Sequence, residues 1–365
     1  MFESEVSRRT FARVLATGAA VAVLPLPRIA AASGKPRQIR LSANENPYGP
    51  SPSALEAMSR ALREASRYPD ELHASFTDDV ASLHGVSTSE VLLGDGSSDV
   101  LRCAVAAFTG PKRPLVMADP SFESPASAAS AAAAPVIKVP LLTTFAHDVA
   151  GMKNASAETG LIYVCNPNNP TATITPKEAI RQLLDSAPPQ MTILVDEAYH
   201  HYATSPAYES ALPLIHLHPN LIVARTFSKI YAMAGVRCGY AVAQKETIAR
   251  LRAEQQWDAM NVVALAGAKA SLADANQVAT ARKRNADTKA WLESQLLKLG
   301  YPTLPSEANF VMIDMSREVK PMLAALRSDG IHVGRLFPAM PRHMRVTIGT
   351  PDEMEAFVAA FKKTV

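Results

Sequence analysis

Cysteine is scarce in this chain. Its 365 residues include only Cys103, Cys165 and Cys238, far apart. An odd count argues against a disulfide framework, and no C-x-x-C spacing offers a metal site. They read as small buried apolar residues. Aromatics are few, at 6%. There is no internal repeat, collagen period, coiled-coil heptad or disordered signature. Charge of one sign is also missing. Lys and Arg number 37 against 34 Asp and Glu, a net charge of +3, which gives no footprint for nucleic acid. The apolar stretch from Val14 to Leu26 is too short to cross a bilayer comfortably. What remains is a globular chain long enough for one large α/β domain and a smaller one.

The first 32 residues stand apart. Arg8-Arg9-Thr10-Phe11 precedes the Val14–Leu26 stretch, and Ala30-Ala31-Ala32 follows it. This order resembles a twin-arginine export signal with an A-x-A cleavage site. It implies passage through the twin-arginine machinery to the periplasm, or a membrane tether if the segment stays attached. Removing residues 1–32 leaves 33 basic and 32 acidic residues, so the basic excess lies partly in the signal.

Beyond the turn-rich loop Ser42–Pro52, helical patterns alternate with short apolar runs. The runs are Val91–Leu93, Leu115–Met117, Val136–Leu142, Leu161–Cys165, Ile193–Val195 and Leu221–Ala224. Continuous apolar runs, rather than alternating ones, predict strands covered by helices on both faces. The fold class is therefore α/β, with a mostly parallel sheet. Ala126–Ala134 predicts a small-residue helix, and Asn276–Leu299 a long charged one. Shorter, mixed strands follow at Ala308–Met315, Ile331–Val333 and Arg345–Ile348, suggesting a second, α+β domain. The expected boundaries are 1–32 for the signal, 33–60 for an N-terminal arm and part of the small domain, 61–274 for the large domain and 275–365 for the small one.

In open α/β sheets, ligands sit at the carboxyl ends of the strands. Here those ends deliver Gly96-Ser97-Ser98, Phe122, Asn169, Asp196 with Tyr199, and Ser228-Lys229, with Arg237 eight residues beyond the lysine. Taken singly, each has a bland reading. A strand-end lysine commonly snorkels at the surface, and "NPNNP" is a turn. Together they offer what one cofactor needs. A glycine-serine turn opening a helix, with an arginine and hydroxyls, suits a phosphate. Asn169 and Tyr199 suit a phenolic oxygen, an aspartate suits a protonated ring nitrogen, and a lysine forms an imine. That set describes a pocket for pyridoxal 5'-phosphate.

The segments "SANENPYGPSP", "RYPD", "GDGSSDVL", "NPNNPTA", "VDEAY", "TFSKIYAMAGVRCGY", "SEANFVMI" and "MRVTIGT" run through almost the whole chain after residue 32. Their order resembles the fold-type I, class I/II aminotransferases, in the histidinol-phosphate aminotransferase-like branch. The resemblance implies a pyridoxal-phosphate-dependent transferase that moves an amino group from an L-amino acid or related amine to a 2-oxo acid such as 2-oxoglutarate. Lys229 would carry the cofactor and shuttle the Cα proton, Asp196 would pair with the pyridine nitrogen, and Asn169 and Tyr199 would bind the ring oxygen. Ser97, Ser98, Thr226, Ser228 and Arg237 would surround the phosphate, and Phe122 would stack on the ring. Tyr68 would reach the neighbouring subunit's cofactor, implying a homodimer. Arg345 would bind the substrate carboxylate, and Tyr48 and Asn44 would either touch substrate or close the pocket.

The chain departs from the pattern in places. Ala172 stands where the family has glycine, and Phe122 where it has tyrosine. In "GIHVGRLFPAMPRHMR", Gly334 occupies the position of an arginine that holds a substrate phosphate in some relatives, and Arg335 comes one residue later. A one-residue shift on a strand reverses a side chain, so Arg335 is not expected to hold a substrate phosphate, while which of His200, His201, Arg335 and Phe337 face the pocket's side-chain end stays open. His200 and His201 either line the pocket or pack elsewhere. The motifs leave open another Cα reaction, such as oxidation or decarboxylation, and a non-catalytic ligand-binding relic.

Overall fold

The computed structural model describes residues 38–365, so the signal-like segment at residues 1–32 lies outside the described residues. The strands are β1 (Ile39–Leu41), β2 (Val91–Gly94), β3 (Leu115–Asp119), β4 (Val136–Pro140), β5 (Leu161–Cys165), β6 (Thr192–Asp196), β7 (Leu221–Thr226), β8 (Gly239–Ala243), β9 (Phe310–Asp314), β10 (Ile331–Val333) and β11 (His343–Thr347). Every residue of β5, β6, β7 and β8 is buried, which is why these strands are mainly apolar, with charged residues only near the ends of β6 and β7.

β2 to β8 form a seven-stranded sheet in the order β2-β8-β7-β6-β5-β3-β4. All neighbours are parallel except those of β8, which runs antiparallel to β2 and β7. This one reversal decides the site's position. It puts the start of β8 beside the ends of its neighbours, with Gly239 opposite both Thr226 and Gly94. Arg237, just before β8, thereby reaches the edge that carries Ser97 and Lys229. Gly239 is required there, because a Cβ would collide with the Ser97 amide nitrogen and the Gly96 backbone.

Two apolar cores involve the sheet. One gathers Phe76, Val116, Ile162, Val195, Val223 and Phe227, and the other Leu101, Leu115, Tyr163, Leu194 and Ile222. Burying a side chain of this size contributes roughly 1.5–3 kcal/mol each. A third core collects Leu41, Leu292, Leu296, Val311, Ile313, Val346, Phe357 and Phe361. It is framed by two small sheets, β1 parallel to β10 and β9 antiparallel to β11.

Helix ends follow local chemistry. Ser51 caps Pro52–Ala61 by accepting from the Ala54 amide, with proline at the first turn. The expected helix at Ala126–Ala134 is observed at Ser124–Ala131, shifted towards the N-terminus. It starts on proline-compatible geometry, and Ala133 at φ 51° lies in the left-handed region, where a helix cannot continue. The long helix is Gln277–Lys298.

Glu197, next to Asp196, is buried rather than solvated. Arg225 on β7 donates to it through Nε (3.0 Å) and Nη2 (2.8 Å), and the Ser210 hydroxyl and Ala211 amide also donate. Glu197→Ala would leave Arg225 buried without a counter-charge and should cost about 3–5 kcal/mol. Urea unfolding should show this as a lower midpoint at constant slope. A midpoint within experimental scatter of the parent would show that water or a neighbour replaces the carboxylate.

Candidate active site

The strand ends enclose a cleft of about 350 Å³. Ser97, Ser98, Phe122, Asn169, Asp196, Tyr199, Thr226, Ser228, Lys229, Arg237, Arg345 and Asn44 all line it. Residues from distant parts of the chain thus meet there, as expected for groups delivered by successive strands.

The floor is Asp196, the last residue of β6. Its Oδ2 accepts from the Tyr163 hydroxyl at 2.8 Å and its Oδ1 from the Ala198 amide at 3.1 Å. Among the described residues it forms no salt bridge. Burial pushes its carboxyl up to about 6, against the pull of the Tyr163 and Ala198 hydrogen bonds. A buried carboxylate that lacks a close cation is suited to receive one from a ligand.

Lys229 follows β7. Its Nζ donates to the Asn44 carbonyl at 3.1 Å and the Ala43 carbonyl at 3.2 Å. Burial, then the charge of Arg345, lower its ammonium to about 8. At neutral pH a usable fraction is therefore the free amine needed for imine formation. The Tyr199 hydroxyl accepts from Asn44 Nδ2 at 3.0 Å. Asn44 itself is held by the second small sheet, its amide donating to Thr347 Oγ1 at 2.9 Å and its carbonyl accepting from Asn309 Nδ2 at 3.0 Å. Its φ of 54° is one that asparagine tolerates better than most residues.

At the other end lies an anion cradle. Helix Ser97–Phe108 begins at Gly96, with φ 78° and no side-chain cap. A Cβ on Gly96 would strike the Arg237 guanidinium, so only glycine lets the two approach. Arg237 Nη1 lies 3.4 Å from Ser228 Oγ, and the Thr226 hydroxyl donates to Ser228 Oγ at 3.0 Å. A helix N-terminus, an arginine and a run of hydroxyls make a cup for phosphate.

Arg345, on β11, closes the third side. Its Nη1 donates to Asn169 Oδ1 and its Nη2 to the Ser42 carbonyl, both at 2.6 Å. Its Nε is buried with no partner. A buried guanidinium N–H without an acceptor is costly.

Other expected residues sit elsewhere. Tyr48 packs under Arg284, 4.8 Å from its ring, and lines a separate small cleft. Tyr68 stands at the surface, 76% exposed. His200 and His201 do not line the main cleft. His200 Nδ1 is 3.0 Å from the Tyr208 hydroxyl, His201 packs edge-on to Tyr231, and burial lowers His200 to about 3. The sequence left the direction of Arg335 open. That residue lines the cleft, because β10 ends at Val333 and strand alternation no longer governs a residue two positions on. Tyr163, Ser121, Glu123 and Cys165 were not anticipated. Tyr163 lies inside an apolar strand, and only the pairing of Cys165 with Asp196 in register reveals what its hydroxyl meets.

Among the described residues, no cluster of His, Cys, Asp or Glu could hold a metal ion. The donor set fits pyridoxal phosphate: a lysine of lowered pKa, a buried carboxylate awaiting a cation, and a glycine-lined anion cup. Fold and site together are those of a fold-type I, pyridoxal-phosphate-dependent enzyme. The likeness extends over nearly the whole described chain. The model for aminotransferase class I and II matches residues 36–361, and the chain belongs to that family. It is 36% identical to a histidinol-phosphate aminotransferase of Moorella thermoacetica, over 89% of this chain and 85% of the relative. A histidinol-phosphate aminotransferase 2 of Pseudomonas aeruginosa is 35% identical, over 90% of this chain and 89% of its own length. The crystal structure of histidinol-phosphate aminotransferase from Sinorhizobium meliloti in complex with pyridoxal-5'-phosphate superposes with a TM-score of 0.84 at 25% identity, covering 95% of this chain and 98% of that one.

Cofactor affinity should depend on Asp196. Its folded pKa is raised, so its charge is present above about 6 and lost as pH falls through that value. Equilibrium dialysis of the apo-protein should show affinity for pyridoxal phosphate falling by up to about tenfold per pH unit below this point. Asp196→Asn should bind weakly at all pH values and flatten the profile. An Asn variant that keeps the parent's pH dependence would remove Asp196 from this role.

Proposed function

We propose that this aminotransferase carries an amino group from an L-amino acid or related amine to a 2-oxo acid, with 2-oxoglutarate as the expected acceptor. The observation that carries this reading is Arg345, a guanidinium bonded to Asn169 that lines the same cleft as Lys229. A carboxylate takes two parallel hydrogen bonds from such a guanidinium.

When bound, the cofactor draws electrons from the donor Cα and so makes its proton acidic. Lys229 Nζ would take that proton and pass it to the cofactor's C4′ carbon within the same half-reaction, and would run the exchange in reverse with the 2-oxo acid. Asp196 keeps the pyridine nitrogen protonated. Tyr199 and Asn169 hold the ring oxygen, Phe122 covers the ring, and Ser97, Ser98, Thr226, Ser228 and Arg237 hold the phosphate. Asn44 fixes the Tyr199 hydroxyl on the substrate side. Relatives bear the name of histidinol-phosphate aminotransferase, which makes that phosphate ester the first donor to test.

The working unit in this reading is a homodimer, in which exposed Tyr68 reaches the cofactor of a second copy. Arg8-Arg9, the Val14–Leu26 stretch and Ala30-Ala31-Ala32 support export of the folded protein by the twin-arginine route to the periplasm, with a membrane tether if residues 1–32 are retained.

Purified protein loaded with pyridoxal phosphate should absorb in the visible and bleach on addition of a true donor without acceptor. Lys229→Ala should lower turnover by at least about a thousandfold. Near-normal turnover in that variant would sink the assignment of Lys229. For export, fractionation should place the processed protein in the periplasm, and Arg8→Lys with Arg9→Lys should retain it inside. An unchanged chain that stays in the cytoplasm with residues 1–32 attached would end the export reading.

A further inference from the structure

The side-chain end of the cleft holds an ion pair. Arg335 Nη2 lies 2.6 Å from Glu123 Oε2, and both residues line the cleft. They come from separate parts of the fold. Glu123 immediately precedes helix Ser124–Ala131, beyond the end of β3, and Arg335 follows β10. Phe337 links this end to the carboxylate end. The Arg335 guanidinium lies 4.5 Å from the centre of its ring and the Arg345 guanidinium 5.1 Å. A substrate whose carboxylate rests on the Arg345 guanidinium would therefore extend along Phe337 towards Arg335.

The two arginines are not equivalent. Arg345 is buried and has an N–H to spare. Arg335 is 52% exposed and already satisfied by a carboxylate that is itself 59% exposed. An exposed ion pair of this kind is weak and exchanges readily with other charged groups. Glu123 nevertheless occupies the position that a substrate anion would need.

We propose that Glu123 is a specificity-determining residue: a built-in competitor for Arg335 that biases the distal subsite against substrates carrying a second anionic group. A ligand with a distal carboxylate or phosphate must displace Glu123 to reach Arg335. A ligand with an uncharged end lies along Phe337 and leaves the pair intact. This rests on the reading of Arg345 as the α-carboxylate site.

The test uses unreactive carboxylates of matched length on the cofactor-loaded enzyme, with binding followed by calorimetry. The pairs are succinate with butyrate, glutarate with valerate, and adipate with caproate. Glu123→Gln should raise the preference for the best-fitting dicarboxylate over its monocarboxylate on the order of fivefold, the effect of removing one competing charge at a wet site. Arg335→Gln should lower the same preference. In the Arg335→Gln background, Glu123→Gln should give a smaller gain, because the competition acts through the arginine. If monocarboxylates and dicarboxylates bind but the preference is unchanged in Glu123→Gln, the competitor role is overturned while the Arg345 reading stands. An equal gain in both backgrounds means plain repulsion and also overturns it. If no carboxylate binds, the Arg345 reading fails and this inference falls with it.

Discussion

A sheet buried on both faces has few places for a polar group. In β5 to β8 every residue is sealed from water, and apolar cores pack against the sheet. The charged side chains of these strands therefore fall at or near the strand ends, where the backbone emerges and partners are available, and the mid-strand hydroxyl of Tyr163 donates its hydrogen bond to Asp196. Asp196, Lys229, Asn169 and the Gly96–Ser98 turn all occur where a strand has just stopped. The antiparallel β8 adds Arg237 to the same edge, because its beginning lies where the neighbouring strands finish. The site follows from this constraint on burial.

Within the cleft, charges are arranged so that several remain incompletely compensated. Asp196 is held by a hydroxyl and an amide but by no salt bridge. Arg345 has a buried N–H without an acceptor, and Lys229 rests on two carbonyls. Burying groups with so little compensating charge is costly. Each arrangement becomes favourable when a cationic ring nitrogen, a carboxylate or a carbonyl carbon arrives. By contrast, Glu197 and Arg225, adjacent to this set, satisfy one another fully and hold β6 against β7 and the Ser210 turn. Two neighbouring acidic residues thus serve different ends, one left open to a ligand and one closed into the scaffold.

Much of the architecture was legible. Uninterrupted apolar runs marked the strands of the large sheet, and the groups following those runs were the ones that line the cleft. Element ends were less legible. The alanine-rich helix begins and ends earlier than its composition suggests, since no single residue there signals the left-handed turn at Ala133. The role of Glu197 was not legible because its partner is 28 residues away on the next strand. Tyr163 read as core for the same reason: its neighbour across the sheet gives its hydroxyl a purpose. The direction of Arg335 was not legible, because it lies beyond the end of β10, where strand alternation no longer applies.

The sequence alone determined the α/β class, the strand-end groups that suit pyridoxal phosphate, and the motif order shared with the aminotransferases. These depend on local patterns: apolar runs, glycine turns, and residue types at short spacing. Tertiary structure decided which of those groups meet and how they are charged. It brought Arg345 and Asn44 against residues far away in the chain, buried Asp196 enough to raise its pKa, set Lys229 near neutrality and paired Arg335 with Glu123. Those outcomes depend on distance and desolvation, which are properties of the packed chain and not of any stretch of its sequence.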